Sequence, residues 1–338
     1  MSGESSPEGH GGGWNAPGEE PPAAAPYSAV AHGREGSAPG PVAGLPSGRP
    51  GALPDGRPAG APTARARART WPFLASELSV MFRRRRTWAM LAALAAVPVL
   101  IAVAVRVTGA GSGGEGPAFL DRITHNGLFV VLTALVLCTP LFLPLTVGVV
   151  SGDTLAGEAG LGTLRYLLAA PAGRARLLLV KYVGTAVFCA AATSAVLLAG
   201  TVAGLALFPS GPVPLLSGDL VDVWTAEGRI VLVGAYVFVS LLGLAAVGLF
   251  ISTLTDVPVG AMAATVVLAI AAQVLDALPQ LDWLHPWLFS HWWLGFADLL
   301  RQPVEWTSFG NNAVLQLGYV LVFGALAYGR FATKDVLS

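Results

Sequence analysis

Six long apolar runs govern what this chain can fold into. They lie near residues 88–106, 128–150, 182–207, 230–254, 258–278 and 312–331, and a helix needs about 20 apolar residues to cross a bilayer core. A backbone inside lipid must satisfy its own hydrogen bonds, and the runs lack the alternation of barrel strands, so they read as spanning helices. Pro98 falls in the first run and Pro140 and Pro144 in the second, where kinks are expected rather than breaks. None of the runs has a charged residue near its centre; Lys181 opens the third and Asp276 lies at the end of the fifth. Charged residues make up 12% of the chain, against about 25% in a soluble domain. The expected fold is an all-α integral membrane protein of six transmembrane helices, with an interfacial helix and a disordered arm ahead of them.

The arm is residues 1 to about 70, rich in Gly, Pro, Ala and Ser and without an apolar run. Such composition does not bury enough surface to offset its ordering entropy. No apolar stretch follows Met1, so a secretory signal peptide is not expected. After the arm, "WPFLASELSVMFRRRR" (71–86) places Phe73, Leu74, Leu78, Met81 and Phe82 on one helical face, with Ser76, Glu77 and Ser79 elsewhere. A helix lying in the membrane interface is the expectation for 71–86. Arg83, Arg84, Arg85 and Arg86 then either bind anionic lipid head groups or only fix topology. Because the run abuts a membrane span, no nucleic-acid partner is expected.

Lysine and arginine placement sets the orientation. With the N-terminus inside, thirteen fall on inner flanks: Arg65, Arg67, Arg69, Arg83 to Arg86, Arg165, Arg174, Arg176, Lys181, Arg330 and Lys334. Only Arg106, Arg122, Arg229 and Arg301 fall on outer ones. Both termini are therefore expected in the cytoplasm, in a multi-pass protein of the cell membrane. The outer stretch 281–306 carries Trp283, Trp287, Trp292, Trp293 and Trp306 and reads as short helices at the membrane–water boundary. His285 and His291 lie there near Asp282, but Pro286 interrupts the register between them and no H-x-x-x-H pair exists, so no metal site is assigned. Cys138 and Cys189 sit in apolar runs and read as buried small hydrophobes, not a disulfide framework.

The stretch with most chemistry is "GEAGLGTLRYLLAAPAGRARLLLVK" (157–181), between the second and third runs. Its opening glycines mimic a phosphate loop, yet Gly162 is followed directly by Thr163, and a phosphate loop needs G-K-[ST] there. The only lysines, Lys181 and Lys334, are not set in such a motif, and H-E-x-x-H and G-x-S-x-G are absent. No catalytic residue and no cofactor of its own are assigned to the chain. The residues from Glu158 to about Ala170 are expected to form a short helix with Leu161, Leu164, Leu167 and Leu168 on one side, ended by Pro171 and Gly173. Such a helix suits docking in another protein's groove; an ordinary charged loop with an interfacial turn is the alternative.

"SGDTLAGEAGLGTLRYLLAAPAGRARLLLVKY" (151–182) resembles the first cytoplasmic loop of type-2 ABC transporter permeases: an acidic start, E-x-x-x-G-T, a leucine-rich turn, P-[small]-[small]-R and a lysine opening the third span. Glu158, Gly162, Thr163, Leu167, Leu168, Pro171, Arg174 and Lys181 match in order. The six-span plan, the interfacial helix, the hairpin before the last span and the ending Phe331-Ala-Thr-Lys-Asp335 are similar to that family over about 70–338, whereas the long arm has no counterpart. The resemblance implies a permease subunit without its own ATPase site, usually of an exporter. It would associate with a second permease copy or a sister permease, and with a separate ABC ATPase that carries ATP and Mg²⁺. On this reading Glu158, Gly162, Thr163, Leu164, Arg165, Leu168, Pro171 and Arg174 are the ATPase-coupling residues, with Glu158 and Arg165 as polar contacts and the leucines as apolar anchor. Gly162 is expected to permit close backbone approach. Thr193, Ser194, Tyr236, Ser240, Gln273 and Gln316 fit either an amphiphile path or inter-helix packing. Two other classes stay open on residues alone, a six-span assembly or sensor component and an ion-coupled carrier; empty span interiors argue against the carrier.

Overall fold

The computed structural model describes residues 70–108, 126–162, 173–209, 211, 213–214 and 220–333. All belong to one compact unit, residues 60–338. The arm expected to be disordered, and residues 163–172, which include most of the expected short helix, lie outside the described residues.

Among the described residues eight α-helices carry the fold: α1 (Thr70–Arg83), α2 (Arg85–Thr108), α3 (Phe129–Leu137), α4 (Leu143–Gly160), α5 (Arg174–Leu207), α6 (Val223–Leu254), α7 (Pro258–Asp276) and α8 (Thr307–Thr333). A π-helical turn, Cys138–Phe142, joins α3 to α4 into one rod, so six helical segments are long and apolar enough to cross a membrane. Pro140 sits inside that turn and Pro144 in the first turn of α4. Neither proline breaks the rod: a wide turn tolerates a missing N–H, and so does a helix start. The described β-structure is a two-residue ribbon, Val213–Pro214 antiparallel to Leu220–Val221.

The membrane-spanning expectation holds, while several helix ends differ from it, α6 and α8 also starting earlier than expected. The second rod continues past 150 to Gly160, and α5 begins at Arg174 rather than near 182. Polar residues in those extensions look like loop on an apolarity count, but their charges pair across elements. The interfacial helix ends at Arg83, and Arg84 forms the bend before α2. That bend has local causes. Thr87 Oγ1 donates to Met81 O at 2.7 Å and Trp88 Nε1 to Phe82 O at 2.7 Å, satisfying carbonyls that the end of α1 leaves open.

Helix α6 is the centre of the bundle, with 67% of its apolar window buried, against 22% for α7 and 17% for α8. Close approach around it rests on small residues. A Cβ on Gly248 would fall 2.7 Å from Ser151 Cβ of α4, and one on Gly152 would fall 2.7 Å from Met262 N of α7. Ser252 Oγ of α6 accepts the Leu155 and Ala156 N–H groups of α4 at 2.9 and 2.8 Å. Cys138 and Cys189 are both fully buried in the main core and free. Many large apolar side chains point outward, among them Leu100, Leu198, Val202, Val267, Val314 and Leu321, a surface that needs lipid or protein around it.

Candidate functional site: a charged junction at the basic end

At one end of the bundle α1, the start of α2, the end of α4 and the start of α5 enclose a cavity of about 280 Å³. Six charged side chains line it: Glu77, Arg84, Arg86, Asp153, Glu158 and Lys181. Lys181 is 4% exposed. Its Nζ donates to Glu77 Oε1 at 2.7 Å and to Glu158 Oε1, so one ammonium joins α1, α4 and α5. A lysine is rarely buried without such partners. Arg84 Nη1 and Arg86 Nη2 both donate to Asp153 Oδ2, at 3.2 and 2.6 Å. Gly157 makes room for that carboxylate, since a Cβ there would lie 2.6 Å from Asp153 Oδ1.

The expected coupling residues are distributed differently from their sequence placement. Glu158 stands in the last turn of α4, not at the head of a separate helix, and faces inward to Lys181. Gly162 adopts a left-handed backbone, φ 69°, with its N–H on Ala159 O at 2.9 Å. Its described role is to end α4, the task for which glycine is favoured after a helix. Arg174 opens α5 and turns to the far end of α8, where Nη1 donates to Phe331 O at 3.2 Å and to Ala332 O. Thr163, Leu164, Arg165, Leu167, Leu168 and Pro171 lie outside the described residues.

The arginine run is split in two. Arg83 and Arg85 are exposed, while Arg84 and Arg86 reach back to Asp153. Glu77, expected off the apolar face, accepts from the buried Lys181. Glu77, Asp153 and Lys181 were not singled out as site residues from the sequence. Lys181 itself was the available signal: a lone lysine beside an apolar run requires carboxylates from elsewhere in the chain.

The opposite, tryptophan-rich end is held by a neutral polar network. Asn312 Nδ2 donates to Ser240 Oγ at 2.7 Å, Gln316 Nε2 to Phe289 O at 2.9 Å, and Gly243 N to Gln316 Oε1 at 3.1 Å. Trp293 Nε1 donates to Ser240 O at 3.0 Å and Tyr236 OH to Trp292 O. These bonds fasten the hairpin 279–306 to α6 and α8. Tyr236, Ser240 and Gln316 thus serve inter-helix packing. The hairpin contains short 3-10 turns (Pro279–Leu281, His285–Trp287, Gly295–Leu300). Trp283, Trp287 and Trp306 are exposed and Trp293 is buried. His285 and His291 stack with ring centroids 5.9 Å apart. They lean on separate carboxylates, Asp282 at 3.6 Å and Asp276 at 2.7 Å, and among the described residues no group of three or more acidic, His or Cys side chains could hold a metal ion.

With this geometry in hand, the comparison that decides the family is a match to the family model described as ABC-2 family transporter protein, over residues 71–283. The chain belongs to the ABC-2 transporter family. The match starts in α1 and runs through all four elements of the charged junction into the hairpin. No curated protein matches the chain. As an ABC-2 family member with six apolar spanning helices it is a multi-pass membrane permease of an ABC transporter. Members of the family are membrane subunits, generally not catalytic themselves.

Proposed function

We propose that the chain is the permease subunit of an ATP-driven exporter for an amphiphilic small molecule, drug or lipid. It sits in the cell membrane with both termini cytoplasmic, pairs with a second copy or a sister permease, and engages a separate ABC ATPase that holds ATP and Mg²⁺. The basic end of the bundle is then the cytoplasmic end, because positive flanks stay inside. The stretch 151–181 is the coupling element.

One observation carries the coupling assignment. Both ends of that stretch are fastened to each other and to α1 by a single buried lysine, through Glu158 and Glu77. A push on the loop between them therefore moves three elements together, as transmission through packed elements requires. Glu158 contributes by keeping this joint, and Arg165 with Leu164 and Leu168 by touching the ATPase.

The test is co-purification of the cognate ABC ATPase with the permease carrying Arg165→Glu. Loss of the ATPase from a permease that still inserts and melts normally is the expected result; wild-type recovery would sink the coupling assignment. Stimulation of ATP hydrolysis by candidate amphiphiles, in the reconstituted complex, identifies the cargo class.

A further inference from the structure

The end of α7 is an electronegative seat. Asp276 closes the helix with a carboxylate, and the last turn of α7 holds no basic residue. A helix C-terminus already carries partial negative charge and open carbonyls, so a carboxylate there favours a cation nearby. The side chains that meet it come from the hairpin, and both are histidines. His291 Nδ1 lies 2.7 Å from Asp276 Oδ1, and His285 Nε2 lies 3.1 Å from Leu278 O, just past the helix. His285 turns its other nitrogen, Nδ1, towards Asp282 Oδ1 at 3.6 Å.

Protonation suits this arrangement on two counts. A neutral imidazole has one N–H, and His285 faces acceptors with both nitrogens, so only its imidazolium turns a donor to each. With Asp276 and Asp282 ionised, the four groups carry two negative charges while the rings are neutral and none once both are protonated. The rings stack with centroids 5.9 Å apart, yet each has a carboxylate nearer to it than its neighbour is. Asp276 is 23% exposed and Asp282 82%, so the His291 pair, less screened by water, carries more of the hold. The other charges around the hairpin are engaged elsewhere: Asp298 pairs with Arg301 at 3.4 Å, and Arg229 of α6 donates to Leu299 O at 2.9 Å. Glu305 follows at the far end of the hairpin.

We propose that His285 and His291 make the hairpin 279–306 a proton-operated clasp on the end of α7, held when the two rings are protonated and loosened when they are neutral. The bonds from α6 and α8 grip the hairpin at Trp287, Phe289, Trp292 and Trp293; the histidines add the attachment to α7. The clasped form binds protons more tightly than the open one. Its hold is therefore complete below the range in which histidine titrates, about pH 5 to 8, and is lost as pH rises through it. The permease reading enters only in placing this hairpin at the outer face, where it meets the pH outside the cell.

Hydrogen exchange of the full chain in detergent, read by mass spectrometry at about pH 5.5 and about pH 8, tests the clasp. Exchange times are scaled for the intrinsic effect of pH, and peptides of α6 serve as the internal reference. Protection of 279–291 relative to α6 should fall about tenfold at the higher pH, the factor for one charge-assisted contact of about 1.4 kcal/mol. The double variant His285→Gln, His291→Gln should show the same protection at both values. Asp276→Asn, which leaves both rings in place, should shrink the fall. A flat or reversed response of the wild-type protein overturns the inference whether or not a variant folds. So does a fall that persists in the double variant, or one that Asp276→Asn leaves unchanged. ATPase co-purification does not depend on this response, so either reading can fail alone.

Discussion

Lys181 shows how much one side chain organises at this end of the bundle. Burying an ammonium among apolar helices is costly, and two carboxylates from different elements offset it. Removing the lysine alone takes this cation from both acids. Lys181→Met should therefore destabilise the protein by about 3 kcal/mol, within the range for breaking a buried pair, read as a fall in apparent melting temperature in detergent. Adding Glu77→Gln and Glu158→Gln to it should recover most of the loss, because no unpaired charge then remains. A triple variant as unstable as the single one would mean that packing, not charge, is what Lys181 supplies. Gly248 makes a different residue-scale demand: its hydrogen faces Ser151 where a methyl group does not fit. Gly248→Ala should cost about 1–3 kcal/mol as overpacking, and Ser151→Gly in the same chain should return part of it. Equal melting of Gly248→Ala and wild type would show that α4 and α6 separate freely.

At the scale of elements, the hairpin 279–306 depends on a few side chains of α6 and α8. Gln316, 1% exposed, bonds Phe289 O and the Gly243 N–H at once. Gln316→Leu should leave Phe289 O without its donor, loosen the hairpin and raise its cleavage by an added protease several-fold; unchanged cleavage would place the anchor in Trp293 and Tyr236 alone. This network was only partly legible from the sequence. Polar residues in spans were visible, but whether Ser240 and Gln316 face a path or a neighbour depends on helix rotation, which apolar runs do not encode. The spans themselves were legible because lipid imposes length and composition. Their ends were not: Asp153, Glu158 and Arg174 look like loop residues until their partners on α2, α5 and α8 are known. The split of the arginine run has the same origin, since Thr87 and Trp88 bend the chain there through bonds to α1.

For the whole molecule, the proposed six-span topology returns the chain to the side on which it started. The two native cysteines are buried, so an introduced cysteine reports with little background. Trp287→Cys should react with a membrane-impermeant maleimide on intact cells, and Arg83→Cys only after permeabilisation; the reverse pattern would invert the proposed orientation. The π turn in the second rod also acts at this scale. It holds one residue more than α geometry accommodates, and each residue of an α-helix turns the axis by about 100°. Excising a single codon there, Leu141 for instance, would let the rod close into uninterrupted α-helix and swing everything after it by that angle. Asp153 would leave its arginines and Glu158 its lysine in one movement. The phase of the whole basic end is thus stored in a five-residue turn lying well over a helical turn away from any of the charges it aligns.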